Sequence, residues 1–425
     1  MCLRVHWVIC DSDMRFTTSS GTEYGYDLQS NRITIIEDNE FNSEDIAIFF
    51  MDSERVSTLP SIDTFVLEIT QQCNMRCTYC CYSGNYRNTR KHNNHSMSDD
   101  NIEVIIDFIL RTKNGSISNI CFYGGEPLLR LSTISKFIDC AKVKFDGCVE
   151  FSLNTNGTLL ERKVVDYLIE NNISVFISLD GGKDMHDNKR KLSSGADSFK
   201  LIYNNLSYIK AHYPTFFAEK VSILITVENV GDIIEIAKQW TTYDLLKDKL
   251  PLQISAVAPN YAAGVERLDE QIVIAKYYKL LEAYILDPEN PILKRFFDDY
   301  VFDLKSRDIS DLSSSCSVPA CLPNNRKCFI GADGKIGVCE KMCDKYRIGN
   351  IEDGFDFVEI NNMIDKMSAI RKKHCSLCPV VRLCDSCLLI LDLNEEELSM
   401  HCHNQRIYIK TALTMLCELA ENELI

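Results

Sequence analysis

Three cysteines, Cys73, Cys77 and Cys80, are closely spaced in the stretch CNMRCTYC. Three thiolates can bind three irons of a 4Fe–4S cluster and leave the fourth iron open. An open iron is what a reactive cluster needs, because a substrate or cofactor must reach it. Zinc binding by the same cysteines is the alternative interpretation. We expect the adjacent Cys81 not to be a ligand, since a fourth thiolate would close the site.

A second candidate motif, Tyr123-Gly124-Gly125-Glu126-Pro127, follows the next predicted strand. Two glycines let the backbone approach a ligand closely, and the glutamate beside them can accept a hydrogen bond from an ammonium group. Taken alone, this motif is equally consistent with a tight turn. Because each of the two motifs follows its own strand, together they favour a cofactor-binding site.

The C-terminal third contains a further set of cysteines with the spacing of ligands. Eight ligands suit two four-thiolate clusters, whereas pairs of CxxC motifs also build structural zinc sites. We interpret His401 and His403, which flank one of these cysteines, as surface polar residues. The candidate ligands are Cys321, Cys328, Cys339, Cys375, Cys378, Cys384, Cys387 and Cys402, with Cys316 and Cys343 as alternatives. The remaining cysteines are interpreted as packed thiols: Cys2, Cys10, Cys121, Cys140, Cys148 and Cys417.

Composition places the chain among ordinary globular proteins. Its 425 residues suffice for two or three domains, and 45% of them are hydrophobic and 25% charged. The net charge of −15 gives no general electrostatic reason to bind nucleic acid or an anionic membrane. No secretory signal or membrane-length apolar run is visible. We therefore expect a cytoplasmic protein whose 20 cysteines serve metal binding or catalysis rather than disulfide bonds.

From about residue 62, apolar runs of strand length alternate with amphipathic helical stretches. This alternation predicts parallel strands joined by right-handed crossovers, an α/β fold whose six units form an open or partial barrel. Chemistry in parallel barrels lies at the C-terminal ends of the strands, where the first cysteine motif lies. The predicted strands are Thr64–Thr70, Ile117–Tyr123, Val149–Asn154, Ser174–Asp180, Val221–Val227 and Leu252–Val257. The predicted helices are Asp99–Lys113, Leu131–Lys144, Glu161–Asn171, Ser198–His212 and Asp232–Thr242.

The flanking segments differ from this pattern. Residues 1–61 are predicted to form a small α+β module, with strands at Arg4–Ile9 and Arg32–Glu37 and a helix at Glu44–Met51. The Cys-rich segment has few long apolar runs, and we expect metal binding to supply folding free energy there. The remaining predicted segments are a barrel at 62–265, a helical linker at 266–309, a Cys-rich domain at 310–403 and a C-terminal helix at 404–425 that begins at Asn404.

On these motifs the chain resembles the radical S-adenosylmethionine (radical SAM) enzymes, whose signature is CxxxCxxC after the first strand and a GGEP-like turn after the second. The resemblance implies a partial (β/α)6 TIM-like barrel with a 4Fe–4S cluster on Cys73, Cys77 and Cys80. It implies that S-adenosyl-L-methionine binds the open iron. It also implies that Tyr79 lies near the adenine, that the GGEP motif meets the amine, and that Asn154 and Ser178 contact ribose or carboxylate. The implied cofactor-binding residues are Tyr79, Gly124, Gly125, Glu126, Pro127, Asn154, Ser178 and Asp180.

The Cys-rich segment resembles the SPASM domain that follows the barrel in many of these enzymes. The resemblance implies two auxiliary 4Fe–4S clusters, and therefore three clusters in all. One would use Cys321, Cys328, Cys339 and Cys387, and the other would use Cys375, Cys378, Cys384 and Cys402. The spacing departs from the family pattern before Cys387, which is preceded by two residues rather than three.

SPASM relatives mostly oxidise peptide or protein side chains, and auxiliary clusters are suited to accept the electron. We therefore expect a radical SAM maturase that forms an oxidative cross-link, a Cys sulfur-to-carbon thioether, in a ribosomally made precursor peptide. Residues 1–61 are expected to bind the leader segment of this peptide by strand addition, or alternatively to form a simple cap on the barrel. A flavodoxin or ferredoxin is the expected external reductant.

Two other functions stay open. The first is an anaerobic sulfatase-maturing enzyme, which oxidises Cys or Ser to formylglycine. That group carries Asp at the position of Glu340, which is our candidate catalytic base in this chain. The second is an iron–sulfur electron carrier without catalytic activity, which the GGEP motif and the polar strand ends disfavour.

Overall fold

The computed structural model describes residues 14–36, 56–58, 62–112, 117–145, 149–247, 249–257, 266–307, 326–384 and 386–425. The chain divides into two compact units. The barrel unit comprises Arg55–Ala263 and Ala320–Asn361, and the second unit comprises Met1–Glu54, Gly264–Pro319 and Asn362–Ile425. The predicted Cys-rich segment 310–403 is therefore divided between the two units. The predicted strand Arg4–Ile9 and helix Glu44–Met51 lie outside the described residues.

Six parallel strands, here called barrel strands one to six, form the centre of the barrel unit. They lie in chain order, and each pairs with the next in parallel. The first strand is buried on both faces, as expected of a parallel sheet covered on both sides. The predicted α/β class and partial barrel are thus confirmed. The strands are Thr64–Thr70, Asn119–Gly124, Glu150–Thr155, Ser174–Ser178, Val221–Val227 and Gln253–Ala256.

Helices connect the barrel strands. Five have bounds close to those predicted, and two short ones, Lys183–Lys189 and Pro214–Lys220, were not predicted. Their apolar residues recur at helical spacing, and these buried side chains face the sheet. A short antiparallel pair, Met75–Cys77 with Arg190–Leu192, is an additional feature that the periodicity does not predict. The helices are Asn101–Thr112, Leu131–Lys144, Arg162–Glu170, Lys183–Lys189, Phe199–His212, Pro214–Lys220 and Asp232–Thr242.

The barrel sheet continues into the C-terminal part of the chain. Strand Lys327–Ile330 pairs in parallel with the first barrel strand, and three short antiparallel strands follow it. Ile330, Ile336 and Ile351 are fully buried in this extension. The extension therefore has apolar burial of its own, and the contribution of metal binding to its folding stays a prediction. The three following strands are Lys335–Gly337, Arg347–Asn350 and Gly354–Phe355.

The second unit combines a small antiparallel sheet with helices. Among the described residues, its strands are Met14–Thr17, Glu23–Asp27 and Arg32–Ile35, in that order. Thr18 and Tyr24 donate hydrogen bonds to Glu421 at 2.9 and 2.8 Å, which joins the sheet to the C-terminal helix. The helices are Glu270–Leu286, Pro291–Lys305 and Glu395–Glu421, and helix Phe357–His374 enters this unit at Asn362.

The C-terminal helix begins at Glu395 and not at Asn404 as predicted. Asn394 caps it, since its side chain accepts from the backbone N–H groups of Glu396 and Glu397 at 3.0 and 2.9 Å. Glu397 in turn accepts from the Asn394 N–H at 3.0 Å, which completes a capping box. As a consequence, Cys402 lies within a helix. No helix in the described part of the chain is long and apolar enough to cross a membrane.

Candidate functional site

The structure brings Cys73, Cys77 and Cys80 together in the loop after the first barrel strand. The backbone N–H groups of Met75 and Tyr82 donate to the Cys73 and Cys80 sulfurs, each at 3.3 Å. Burial raises the pKa of Cys73 to about 12, and the nearby Cys77 and Cys80 thiolates add to this shift. Convergent thiols with amide donors to sulfur fit an iron–sulfur cluster, whose potential depends on such hydrogen bonds.

Cys81 lies beside this group but in a different environment. A hydrogen bond between the two thiols lowers the pKa of Cys80 to about 4 and raises that of Cys81, and burial favours the neutral form of both. Cys80 also contacts His92. Lys341 lowers and Glu340 raises the pKa of Cys81, so both charges act on this thiol. The expectation that Cys81 is not a ligand stays a prediction.

A buried arginine that the sequence reasoning missed lies next to the cysteine loop. Arg190 pairs with Cys77 in the short antiparallel strands, and its guanidinium donates to the Tyr79 hydroxyl at 2.7 Å. Tyr79 in turn donates to Asp180, which also accepts from the Thr226 N–H at 2.9 Å. The Arg190 Nε is buried and has no hydrogen-bond partner among the described residues. A buried cation with a spare donor can bind an anionic ligand at this place.

Gly124 and Gly125 are required by the chain's own packing. A Cβ on Gly124 would lie 2.2 Å from the Thr70 carbonyl oxygen, and a Cβ on Gly125 would lie 2.1 Å from that of Gln72. Gly124 also has a φ of +135°, which disfavours other residues. The two glycines thus let the second barrel strand end directly against the backbone that leads into Cys73. The predicted role in meeting the cofactor amine stays a prediction.

Glu126 is fully buried and already accepts three hydrogen bonds. Its donors are the Leu128 N–H at 3.1 Å, the Thr155 hydroxyl at 2.8 Å and the Asn156 N–H at 2.7 Å. Burial raises the pKa of Glu126 to about 7, although these hydrogen bonds act in the opposite direction. The side chain therefore connects the ends of the second and third barrel strands. Pro127 begins the short 3₁₀ turn that follows.

The strand-end residues predicted to contact the cofactor lie on the third and fourth barrel strands. Asn154 and Ser178 are half-buried, and the Asn154 side chain lies 3.7 Å from the Cys121 sulfur. Asn156, which the sequence reasoning did not name, lies nearer to the cysteine loop. Its side-chain nitrogen is 2.8 Å from the Asn74 side-chain oxygen and 3.8 Å from the Cys73 sulfur. Its place in the same NTNG stretch as Asn154 was the available signal.

Glu68 joins the cysteine loop to the C-terminal extension of the sheet. This carboxylate is fully buried and pairs with Arg90 at 3.1 Å. It also accepts from the Tyr82 hydroxyl at 2.6 Å, from Gln71 at 2.8 Å and from the Ala332 N–H at 3.0 Å. Four donors from three segments thus converge on one charge. The loop geometry therefore depends on residues that are distant in sequence.

Glu340 lies beside Cys339 and forms an ion pair with Lys327, with Nζ to Oε2 at 3.0 Å. Burial would raise the pKa of Glu340, but Lys327 outweighs it and the pKa lies below its ordinary value. Burial also raises the pKa of Tyr123, which lies near Cys81, Glu340 and Cys339. The first cysteine group and Cys339 thus share a neighbour. As a lone base Glu340 is weak, and its catalytic role stays a prediction.

The second unit contains five of the predicted auxiliary ligands, and four of them lie around one cavity. Cys375, Cys378, Cys384 and Cys402 line one cavity. Burial raises the pKa of Cys375 to about 12, and the other three cysteines contribute. His401 is 2% exposed and its Nε2 lies 3.1 Å from the Ser386 hydroxyl, so the interpretation of His401 as a surface residue is wrong.

The other set of auxiliary ligands is divided. Cys328 and Cys339 belong to the barrel unit, and Cys387 belongs to the second unit. Cys321 lies outside the described residues. All described cysteines are free thiols. Within the described ranges, no three Cys, His, Asp or Glu side chains are close enough to hold a single metal ion, as a zinc site requires.

Residues 67–239 match the family model of the radical SAM superfamily. The cysteine-type anaerobic sulfatase-maturating enzyme of Clostridium perfringens (strain 13 / Type A) is 26% identical over 391 residues, which cover 86% of this chain and 100% of the relative. The radical SAM cyclopropyl synthase TigE of Paramaledivibacter caminithermalis is 32% identical over 202 residues, which cover 45% of this chain and 42% of the relative.

Solved structures give the same relationship. The structure described as native anSMEcpe with bound AdoMet and Cp18Cys peptide superposes with a TM-score of 0.62 at 25% identity. The superposition covers 84% of this chain and 99% of that chain. Similarity therefore extends beyond the barrel to the C-terminal region.

Proposed function

We propose that this chain is a radical SAM enzyme that oxidises a cysteine or serine side chain of a peptide or protein substrate. The observation that carries the proposal is the extent of the similarity. A cysteine-type sulfatase-maturating enzyme aligns over its whole length and over 86% of this chain, which is far more than the barrel alone. A relative of the barrel alone would not support a peptide substrate in this way.

The first site is proposed to hold the reactive cluster and S-adenosyl-L-methionine. When bound, this pair supplies on reduction a 5′-deoxyadenosyl radical that removes a hydrogen atom from the substrate. Cys73, Cys77 and Cys80 would hold the cluster. The buried Arg190 offers a guanidinium with a spare Nε donor, which suits the cofactor carboxylate. Asp180 stabilises the charge of Arg190 through the intervening Tyr79 hydroxyl.

The C-terminal cysteines are proposed to hold two auxiliary 4Fe–4S clusters. Cys375, Cys378, Cys384 and Cys402 already converge on one cavity, which supports the first of them. The other would use Cys321, Cys328, Cys339 and Cys387. Oxidation of a side chain by two electrons gives one hydrogen atom to the cofactor radical and one proton to solvent, and the second electron needs an acceptor. A multi-iron centre is suited to that role.

Formylglycine formation is the first candidate for the product. It was the alternative in the sequence analysis, and the similarity to sulfatase-maturating enzymes now favours it over the thioether cross-link. In this reaction a Cys side chain loses two hydrogens, and hydrolysis then replaces sulfur by the aldehyde oxygen. Lys327 keeps Glu340 ionised, so the carboxylate could accept a proton but only as a weak base.

A thioether cross-link in a ribosomally made peptide is the second candidate. It is favoured by Glu340 itself, because sulfatase-maturing enzymes carry Asp there. The longer side chain, fixed by the pair with Lys327, changes the position of the carboxylate. A leader segment would add to strand Arg32–Ile35, whose partner strand lies on one side only among the described residues.

One experiment separates the two products. Anaerobically reconstituted enzyme is reduced and incubated with S-adenosylmethionine and either a sulfatase-derived Cys peptide or a Cys-rich peptide. An aldehyde that reacts with a hydrazide probe, accompanied by loss of sulfide, indicates formylglycine. A product lighter by about 2 Da that resists reductant indicates a cross-link, since a disulfide of the same mass would be reduced. The control is the variant with Cys73, Cys77 and Cys80 replaced by Ala. If the parent enzyme forms 5′-deoxyadenosine but neither product, a peptide substrate of these two kinds is refuted.

The leader interaction has its own test. The Ile36 N–H donates to Glu23 O at 2.9 Å, so by antiparallel alternation the backbone groups of Ile35 point away from the neighbouring strand. Ile35→Pro therefore removes an outward N–H without removing a sheet hydrogen bond. We expect weaker binding of a leader peptide and unchanged formation of 5′-deoxyadenosine, with Thr34→Ala as the control. Equal binding by both variants contradicts strand addition at this edge.

A further inference from the structure

The loop that carries the three cysteines has an unusual charge for this protein. Residues 69–98 contain four Lys or Arg residues, two His residues and no Asp or Glu, although the whole chain has a net charge of −15. We call this segment the cationic loop. Its charged residues are Arg76, Arg87, Arg90, Lys91, His92 and His95.

Most of these cations face solvent. Arg76, Arg87 and Lys91 are exposed, whereas Arg90 is buried against Glu68. Arg76 donates only to the backbone carbonyls of its own turn, and neither Arg76 nor Lys91 pairs with a carboxylate among the described residues. Arg76 and Lys91 therefore present positive charge at the surface of the loop.

Two neighbouring recesses open beside these cations. One has a volume of about 410 Å³ and is lined by Cys77, Ser83 and Lys91 among others. The other has a volume of about 340 Å³, and Cys73 belongs to its lining. Arg76 and His92 line both recesses, and neither recess contains a carboxylate. Two of the three cysteines thus lie directly behind a cationic surface, and His92 contacts the third, Cys80.

We propose that the cationic loop is the docking surface for an acidic one-electron donor protein of the flavodoxin type. The inference rests on the proposed function, since it assigns the proposed cluster its reductant. Opposite charges steer such a partner to the loop and orient it. The reduced flavin of the donor loses one electron and the thiolate-bound iron centre gains it, and no covalent bond forms or breaks. The recesses bring the donor close to Cys73 and Cys77.

Charge reversal at Lys91 tests this surface. Lys91 lies outside the proposed catalytic groups and is exposed, and its Cγ would lie 3.4 Å from a Cβ placed on Gly84. We expect Lys91→Glu to weaken binding of oxidised flavodoxin to the reconstituted enzyme by roughly tenfold at low salt. The difference should largely vanish near 1 M salt, where the screening length falls to about 3 Å. The matched control is Lys163→Glu, an exposed lysine on helix Arg162–Glu170, which should bind like the parent.

Turnover with two reductants supplies the second measurement. With flavodoxin as reductant, Lys91→Glu should form 5′-deoxyadenosine more slowly than the parent and Lys163→Glu. With a small chemical reductant all three should react equally and contain equal iron. Unchanged flavodoxin affinity in Lys91→Glu overturns the proposal, and so does an equal loss of turnover with the chemical reductant. A raised KM for the peptide with unchanged flavodoxin affinity would instead assign the loop to an acidic substrate and overturns the proposal as well.

The result is independent of the product assignment. If the parent cleaves S-adenosylmethionine with flavodoxin but modifies neither class of peptide, the proposed function fails while the docking surface stands. If the parent modifies peptide and Lys91→Glu does so equally with either reductant, the docking surface fails while the proposed function stands.

Discussion

Gly125 offers a direct test of the packing that positions the first cysteine. A Cβ at this position would lie 2.1 Å from Gln72 O and 2.6 Å from Gln72 C, and contacts under 3.0 Å are essentially never observed. In Gly125→Ala the backbone at Gln72 must therefore move by about 0.9 Å (3.0 − 2.1), because no flexible side chain can yield instead. Such overpacking costs about 1–3 kcal/mol. Since Cys73 follows Gln72 directly, we expect lower iron content as well as lower stability.

The assay combines urea unfolding of the reconstituted enzyme with iron analysis of the purified protein. Gly231→Ala is the matched control, because its Cβ would meet only the Asn229 side chain at 3.4 Å, an ordinary contact. We expect this control to lie within about 0.5 kcal/mol of the parent. If Gly125→Ala matches the control in both stability and iron, the argument from the Gln72 contact is refuted. If it matches in both but no longer binds S-adenosylmethionine, the glycine serves the cofactor instead.

Four further predictions concern the iron content, the buried carboxylates Glu68 and Glu126, and Cys384. Fully reconstituted enzyme should contain about 12 iron atoms per chain, and replacing the three cysteines of CNMRCTYC should remove about four of them. A parent enzyme with about four iron atoms and bound zinc would contradict the two auxiliary clusters. Glu68→Ala leaves the Arg90 cation buried without its partner, and we expect a loss of about 3–5 kcal/mol in urea unfolding. The pKa of Glu126 is raised from 4.5 to about 7, so the folded state holds an extra proton between these pH values. The free energy of unfolding should therefore fall as pH rises through this window, and it should fall less in Glu126→Gln. Cys384→Ser should retain formation of 5′-deoxyadenosine but lose peptide modification, and normal peptide modification with depleted iron would contradict an electron-acceptor role.

Much of the barrel could be predicted because its signals are local. Strands Thr64–Thr70 and Val221–Val227 and helices Leu131–Lys144 and Asp232–Thr242 have the predicted bounds. Each carries its own hydrophobic period, which a single segment reveals. The start of the C-terminal helix was missed although its signal was present: Asn394 and Glu397 form the Asn-x-x-Glu pattern of a capping box.

The candidate ligands were equally visible in the sequence, since cysteine spacing within a loop is a local property. The function could be predicted only in part from the sequence. The motifs indicated the radical SAM family, but their resemblance to peptide cross-linking enzymes favoured the thioether reaction. Similarity over 86% of the chain instead favours sulfatase maturation. Glu340 alone could not decide between them, because one carboxylate suits both reactions.

The sequence by itself determined most of the barrel strands and helices and which thiols are candidate ligands, because these depend on neighbours a few residues away. Only the tertiary structure decided what surrounds those thiols. Arg190 pairs with Cys77 although the two residues are more than a hundred positions apart in sequence. In the same way, the Ala332 N–H donates a hydrogen bond to Glu68 from a distant part of the sequence. Hydrogen bonds and ion pairs between these polar side chains are stronger because the side chains are buried. Burial is a property of the packed fold, and no local sequence pattern encodes it.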